Sequence, residues 1–200
     1  MDPPRSKKRP RAAATAPPEA PPRRGRDAST ERIFEAAEQL FAQMPPSEVT
    51  TRAIAEKAQV NLALIHRYVG SKEEVLRKVM LRYARRFRLD VEPAARFEDG
   101  LITVLQDPKH EPFLRTLAFL ILTGYPLDEV LAPEGGLKML LSLGKSNGLQ
   151  PARVLAALVM GMGWLLFDEF LLMAAGMQRS GKKTDKEVFA LVRHISRKPV

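Results

Sequence analysis

Apolar side chains recur with a helical period from Ser29 onward. Ile33, Ala37, Leu40, Phe41 and Met44 fall at offsets 0, 4, 7, 8 and 11, which is one face of a helix. Met44-Pro45-Pro46-Ser47 breaks that helix, because a residue preceding proline disfavours the α region. Thr50 then stands as the N-cap of a second, short helix running to about Lys57, with Ile54 and Ala58 facing inward. Gln59 and Val60 make a tight turn, and Asn61 caps a third helix that carries Ile65 and Val69 on its buried side. Gly70 is a terminator, and Ser71-Lys72-Glu73-Glu74 has the spacing of a capping box that opens a fourth helix. Along it Val75, Val79, Tyr83 and Phe87 form an inner stripe, flanked by Leu76 and Met80.

The remainder is helical segments divided by prolines at 93, 108, 112, 126, 133 and 151, giving stretches near 94–106, 112–123, 127–131, 134–146, 151–176 and 184–196. No alternating β pattern lies between them, so the fold class is all-α. Three units follow: a disordered basic arm over 1–26, a helix-turn-helix domain over 27–72, and a larger helical domain over 73–200.

Charge sharpens this division. Of a net charge of +9 in 200 residues, residues 1–26 hold eight Lys/Arg against two acids, while 27–90 hold eleven against nine and 91–200 thirteen against twelve. The arm also has seven of the sixteen prolines and no Ile, Leu, Val or aromatic residue, so it lacks the apolar surface that offsets ordering entropy. Its two clusters, Lys7-Lys8-Arg9-Pro10-Arg11 and Arg23-Arg24-Gly25-Arg26, suit a polyanion.

Chemistry is mostly excluded. With no Cys there is no disulfide scaffold, thiolate zinc site or Cys nucleophile. His66, His110 and His194 are far apart, and neither paired carboxylates in a cleft nor a phosphate loop supports catalysis; no catalytic residue, metal or cofactor is expected. The basic start runs into Pro and Ala, not an apolar signal region. Val154 to Ala175 is long enough to span a membrane but carries Asp168 and Glu169, and an Asp at the centre of a spanning helix costs roughly 2.5–3.5 kcal/mol. A buried helix of a soluble, cytoplasmic protein fits better. Gly161-Met162-Gly163 follows no strand and lacks a third glycine, so helix packing explains it better than nucleotide binding. His110, in a loop after Pro108, is expected to be exposed.

Two short helices joined by a three- or four-residue turn are a helix-turn-helix candidate. Such a helix enters the major groove only if its inner side is anchored and its outer side is free for base edges and phosphates. Val60, Ile65 and Val69 supply the anchor; Leu62, Ala63, His66 and Arg67 lie on the opposite side, with Tyr68 at the edge. Three blocks, 30–41 (TERIFEAAEQLF), 49–55 (VTTRAIA) and 63–73 (ALIHRYVGSKE), together resemble the DNA-binding domain of the tetracycline-repressor (TetR) family in order and spacing. The resemblance covers 29–76. It implies that Thr51 and Arg52 contact phosphate or bases, that Ala63, His66, Arg67 and Tyr68 face the groove, and that Lys72 binds phosphate at a helix N-terminus, where free amides favour an anion. Thr50 reads as a cap. Three positions depart from the family pattern: Gln59 replaces the turn glycine, Met44-Pro45-Pro46-Ser47 the first loop, and His66 a common Tyr.

In that family the last two long helices build a four-helix homodimer interface, which corresponds to 151–176 and 184–196, with Ala157 and Gly161 allowing close approach of another helix. Asp168 and Glu169 are expected either to pair with Arg115, Arg153 or Arg193, or to anchor a ligand. A pocket for a small apolar effector with a cationic or hydroxyl end is expected among Phe97, Phe113, Phe119, Tyr125, Met160, Trp164, Phe167 and Asp168. The resulting expectation is a ligand-responsive repressor, cytoplasmic and nucleoid-associated, that binds double-stranded DNA at a palindromic operator as a dimer. A nonspecific DNA-compacting protein without an effector is the alternative.

Overall fold

The structure is a computed structural model describing residues 23–130, 135–177 and 182–197. Among the described residues the regular structure is entirely helical: α1 (Arg23–Gln43), α2 (Thr51–Ala58), α3 (Leu62–Tyr68), α4 (Lys72–Val91), α5 (Phe97–Gln106), α6 (Glu111–Leu122), α7 (Gly136–Ser146), α8 (Pro151–Ala174) and α9 (Lys182–Ile195). Short 3-10 turns cover Pro108–His110 and Leu127–Glu129.

Local chemistry accounts for the first boundaries. Thr50 Oγ1 accepts from Ala53 N at 3.0 Å and Asn61 Oδ1 from Ala63 N at 2.9 Å, so α2 and α3 are both capped as their sequences predict. Ser71 and Glu74 form a full capping box at α4, with Ser71 N donating to Glu74 Oε2 at 2.8 Å. Gly70 before it has φ +116°, and a Cβ there would collide with the Glu74 carboxylate, so the box itself requires glycine. Gln59 takes the left-handed conformation (φ 53°, ψ 47°) that the missing turn glycine would have adopted more easily.

Two cores share α4. Ile33, Phe41, Val49, Ile54 and Ile65 pack with Val75, Val79 and Tyr83 of α4 and with Phe113, Leu114, Leu117 and Leu120 of α6. Farther along, Phe87 and Val91 of α4 join a second core with Phe97, Leu101, Leu140, Val154, Leu158, Phe189 and Val192. Burying each large aliphatic or aromatic side chain contributes roughly 1.5–3 kcal/mol. The first core thus runs past the 72/73 boundary and takes in one side of α6.

A charged clamp holds α4 on α1. Arg82 donates to Glu31 Oε2 and to Glu38 Oε1, both at 2.9 Å, and Arg86 donates to Glu38 Oε2 at 2.8 Å. Arg82 also lies 5.0 Å over the Phe34 ring. The Arg82 guanidinium holds the Glu31 carboxyl below the usual carboxylate range. Burial pushes the Tyr83 hydroxyl well above its ordinary value while it donates to Glu38 O at 3.3 Å.

Two expectations need correction. The second charge cluster, Arg23-Arg24-Gly25-Arg26, is the first turn of α1 and not part of a disordered arm. Ser29 and Thr30 hydroxyls bond back to Gly25 O and Arg26 O at 2.8 and 2.9 Å, and extending an anchored helix is far easier than nucleating one. Residues 1–22, with the cluster at 7–11, lie outside the described residues. His110 is 2% exposed, not solvated: Nε2 lies 2.8 Å from Asp90 Oδ2, and the ring meets Phe87 edge-on at 5.5 Å. Ala157 and Gly161 both face inward, and a Cβ on Gly161 would lie 2.5 Å from Leu105, so the glycine is what lets α5 approach closely, as the sequence reading expects of these small residues. Within this chain α8 is buried on one side, through Val154, Ala157, Leu158, Gly161 and Leu172, while Leu155, Val159, Phe170 and Met173 are exposed.

Candidate nucleic-acid interface

The recognition-helix candidate is α3, seven residues long and held by one deeply buried side chain, Ile65. Val69, just past its end, is buried as well, and Val69 N and Gly70 N both donate to Ile65 O at 2.8 and 2.9 Å. With that face anchored, Leu62, Ala63, His66 and Arg67 are all exposed on the outside. This is the division that a groove-reading helix needs: a fixed inner side and four outward side chains one turn apart.

The other expected residues take less uniform positions. Arg52 is exposed and pairs with Glu56 at 3.3 Å across one turn of α2. Thr51 is half-buried. Tyr68 is also half-buried, packed against the first core, with the Arg26 guanidinium 5.4 Å over its ring. It is therefore a link between α1 and the end of α3 rather than a wholly outward side chain. Lys72 is half-buried too, and its Nζ donates to Ser47 O at 3.1 Å, which ties the start of α4 to the α1–α2 loop. An ammonium has three donors, so this bond leaves capacity for a phosphate.

The residues expected to form an effector pocket do not converge on one place. Trp164 and Asp168 line a cavity of about 510 Å³, together with Leu105, Asp107, Glu111, Asp185 and Phe189. Phe97 is fully buried in the second core, and Met160 packs against the same core. Phe113 stacks obliquely on Tyr83 and Phe87, with centroids 5.7 and 6.0 Å away. Phe119 lines a shallow depression beside Gln39 and Arg115, and Tyr125 a smaller cavity beneath Lys72 and Leu76. Phe167 is 55% exposed. Helical period put Phe97 and Phe113 on inner faces but not Phe167, and it could not say which interiors the others would fill.

The arginines proposed as partners of Asp168 are engaged elsewhere: Arg115 with Glu111, Arg193 with Asp99, each at 2.8 Å, and Arg153 with the carbonyls of Ile195 and Arg197 at 3.3 Å. Sequence reading also missed the cluster beside the cavity. Asp90, Asp107 and His110 come together, with Lys109 Nζ 3.1 Å from Asp90 and 2.7 Å from Asp107, so an ammonium already neutralises both carboxylates. Burial lowers the His110 pKa despite the neighbouring Asp90. The signal for this cluster was slight, since Asp107-Pro108 reads only as a turn.

A capped two-helix unit with an anchored inner face and an exposed outer one defines a helix-turn-helix protein. Residues 33–79 match the family of bacterial regulatory proteins described as the tetR family. That match makes the stretch from α1 into α4 a tetR-family DNA-binding domain, of the kind carried by bacterial regulatory proteins. Two Mycobacterium tuberculosis proteins are similar along much of their length. The HTH-type transcriptional repressor Rv3405c is 29% identical over 161 residues, covering 76% of this chain and 80% of that protein. The HTH-type transcriptional regulator Rv1255c is 28% identical over 131 residues, and the match spans 62% of this chain but only 64% of that relative's length. Two crystal structures of HlyIIR mutant proteins share the fold, with TM-scores of 0.57 and 0.55 at 17% and 20% identity, covering 82% and 87% of this chain and 97% and 98% of theirs.

Proposed function

We propose that this protein is a transcriptional repressor that binds a palindromic operator in double-stranded DNA as a homodimer, and that a small, largely apolar effector releases it. The observation that carries this reading is the outer face of α3, where Leu62, Ala63, His66 and Arg67 stand exposed over a buried Ile65. Thr51, Arg52 and Lys72 flank that face as phosphate contacts, and the residues over 27–72 act as the DNA-binding unit. The likeness to a mycobacterial repressor supports the sign of regulation. Such a protein works in the cytoplasm, at the nucleoid.

One helix-turn-helix buries little DNA surface, and a two-fold dimer doubles it on a palindrome. The support for a dimer here is the uncovered side of α8. Leu155, Val159, Phe170 and Met173 fall on one stripe by the 3.6-residue period, and Leu191 of α9 is exposed as well. By length and composition α8 would also cross a membrane. Its other side, however, packs on the helices of the second core, and a second copy covers the stripe without removing that side from the fold. An effector that binds better when the two heads are wrongly spaced lowers operator affinity by its differential binding energy.

Footprinting on the DNA upstream of the protein's own coding region tests the reading. A protected palindrome, with two chains bound per site, is the expected result. Diffuse protection of any DNA makes the protein a compacting one, for which the basic N-terminal residues would suffice.

A further inference from the structure

The cavity beside Trp164 has a lopsided chemistry. Its floor is apolar, from Leu105 and Phe189 with Trp164 and Leu165 of α8. Among the described residues its rim carries the carboxylates of Asp107, Glu111, Asp168 and Asp185 and the ammonium of Lys186, with Lys109 on Asp107 and Arg115 on Glu111. At about 510 Å³ it is within the size range of small-molecule sites. We infer that it binds an organic cation, an amphiphile whose ammonium or amidinium head lies among these carboxylates and whose apolar body lies on the floor. This inference rests on the effector reading and names the chemical class of that effector.

The carboxylates are arranged so that a bound cation gains. Lys109 holds the Asp107 carboxyl below the usual carboxylate range, so it is ionised at neutral pH. The cations that meet Asp107 and Glu111 are half-exposed, at 47% for Lys109 and 49% for Arg115, and surface pairs of this kind are weak enough to exchange. Asp185 Oδ1 accepts the Trp164 indole N–H at 3.0 Å. A neutral donor orients the carboxylate and the ring together and does not itself cancel the negative charge. An indole beside ionised carboxylates is also a favourable place for a cation. An anionic ligand meets repulsion there, and a neutral one of the same shape desolvates the acids without replacing what they lose.

Two features of the site agree with a regulatory ligand. Trp164 and Asp168 lie roughly opposite the Leu155–Val159–Phe170 stripe on α8, so a dimer formed through that stripe leaves the cavity open. Asp107 also belongs to the turn that sends Lys109 and His110 onto Asp90 near the end of α4. A cation competing with Lys109 for Asp107 acts on the helix that carries the DNA-binding head.

The chain has one tryptophan, so its emission reports on this site. The full-length protein is titrated with decyltrimethylammonium, decanol and decanoate, each below its micelle concentration, by emission and by calorimetry. Saturable binding of one decyltrimethylammonium per chain is expected, at least about tenfold tighter than decanoate. Asp185→Asn should weaken the cation about fivefold or more and leave decanol unchanged. If that variant does not fold, Asp107→Asn reads the same charge from a different element. Equal or tighter binding of decanoate, or no saturable cation binding, overturns the inference. Operator retention assays separate the two readings. Cation binding that leaves DNA bound sinks the effector reading and keeps the site, whereas release by a neutral compound with no cation binding does the reverse.

Discussion

The DNA-binding end and the α5–α9 half are both built from packed helices, yet they are specified by different kinds of contact. Around α2 and α3 each boundary is set by a residue at the boundary itself: Thr50, Gln59, Asn61, Gly70 and Ser71. In the other half α6, α7 and α8 also close locally, at Gly124, Gly148 and Gly176, but further ends are tied from far away. The N-cap residue of α5, Arg96, makes no side-chain cap; the Phe97 N–H instead donates to Asn147 Oδ1 at 2.7 Å, from the end of α7. Arg153 of α8 reaches carbonyls at the end of α9, and Arg193 of α9 reaches Asp99 of α5. A module capped locally holds its shape by itself, whereas the remote ties join the ends of α5, α7, α8 and α9 to one another.

The sharpest way to break this contrast is to strike each region where it is most distinctive. Val159→Glu puts a carboxylate on the exposed α8 stripe. It should leave the single chain folded but weaken dimerisation by about 3–5 kcal/mol, as an unpaired buried charge does. Sedimentation should then show monomers and operator binding should fail. A Val159→Glu protein that stays dimeric moves the interface elsewhere.

Ile65→Ala attacks the head. Emptying the space under α3 should lower stability by roughly 2–5 kcal/mol, read by thermal melting, and abolish operator binding with dimerisation intact. Should the variant dissociate instead, the two regions are less independent than their contacts indicate.

Arg67→Ala and Lys72→Ala divide the interface itself. The first should cost about 1–3 kcal/mol at particular operator positions; the second should weaken all DNA alike and flatten the salt dependence by about one phosphate. Equal loss on operator and random DNA for Arg67→Ala takes base reading away from that residue.

The smallest effect is a pH slope from His110. Burial depresses its folded-state pKa below the ordinary value near 6.5. The unfolded chain then binds the extra proton, so stability is full above that value and is lost as pH falls through the folded one. Asp90 and Asp107 moderate the shift, and Lys109 adds to it. The melting temperature should therefore fall between pH 7 and about 5.5, above the range where carboxylates such as Glu31 titrate, and the fall should shrink in His110→Gln. An unchanged slope assigns the pH dependence to other groups.

Much of the head was legible along the chain because its determinants act over three or four residues. The caps, the left-handed position at Gln59 and the inner stripes of α1 and α4 are each a local spacing. Leu62, Ala63, His66 and Arg67 follow from those spacings, since anchoring Ile65 leaves them outside. Tyr68 and Lys72 were less legible, because Arg26 and Ser47 O, which engage them, come from other elements.

By itself, then, the sequence determined the helices, the ends around α2 and α3 and the polarity of α3, all of which depend on torsional preference, capping and period. Tertiary structure alone decided which interior each inward residue fills: Phe97 and Phe113 became core, and Trp164 and Asp168 were left at a cavity. It also turned His110 inward onto Asp90 and set Gly161 against Leu105. The reason is physical. A helical period states that a side chain points inward, but the space it meets depends on the shape and charge of helices brought together from distant parts of the chain.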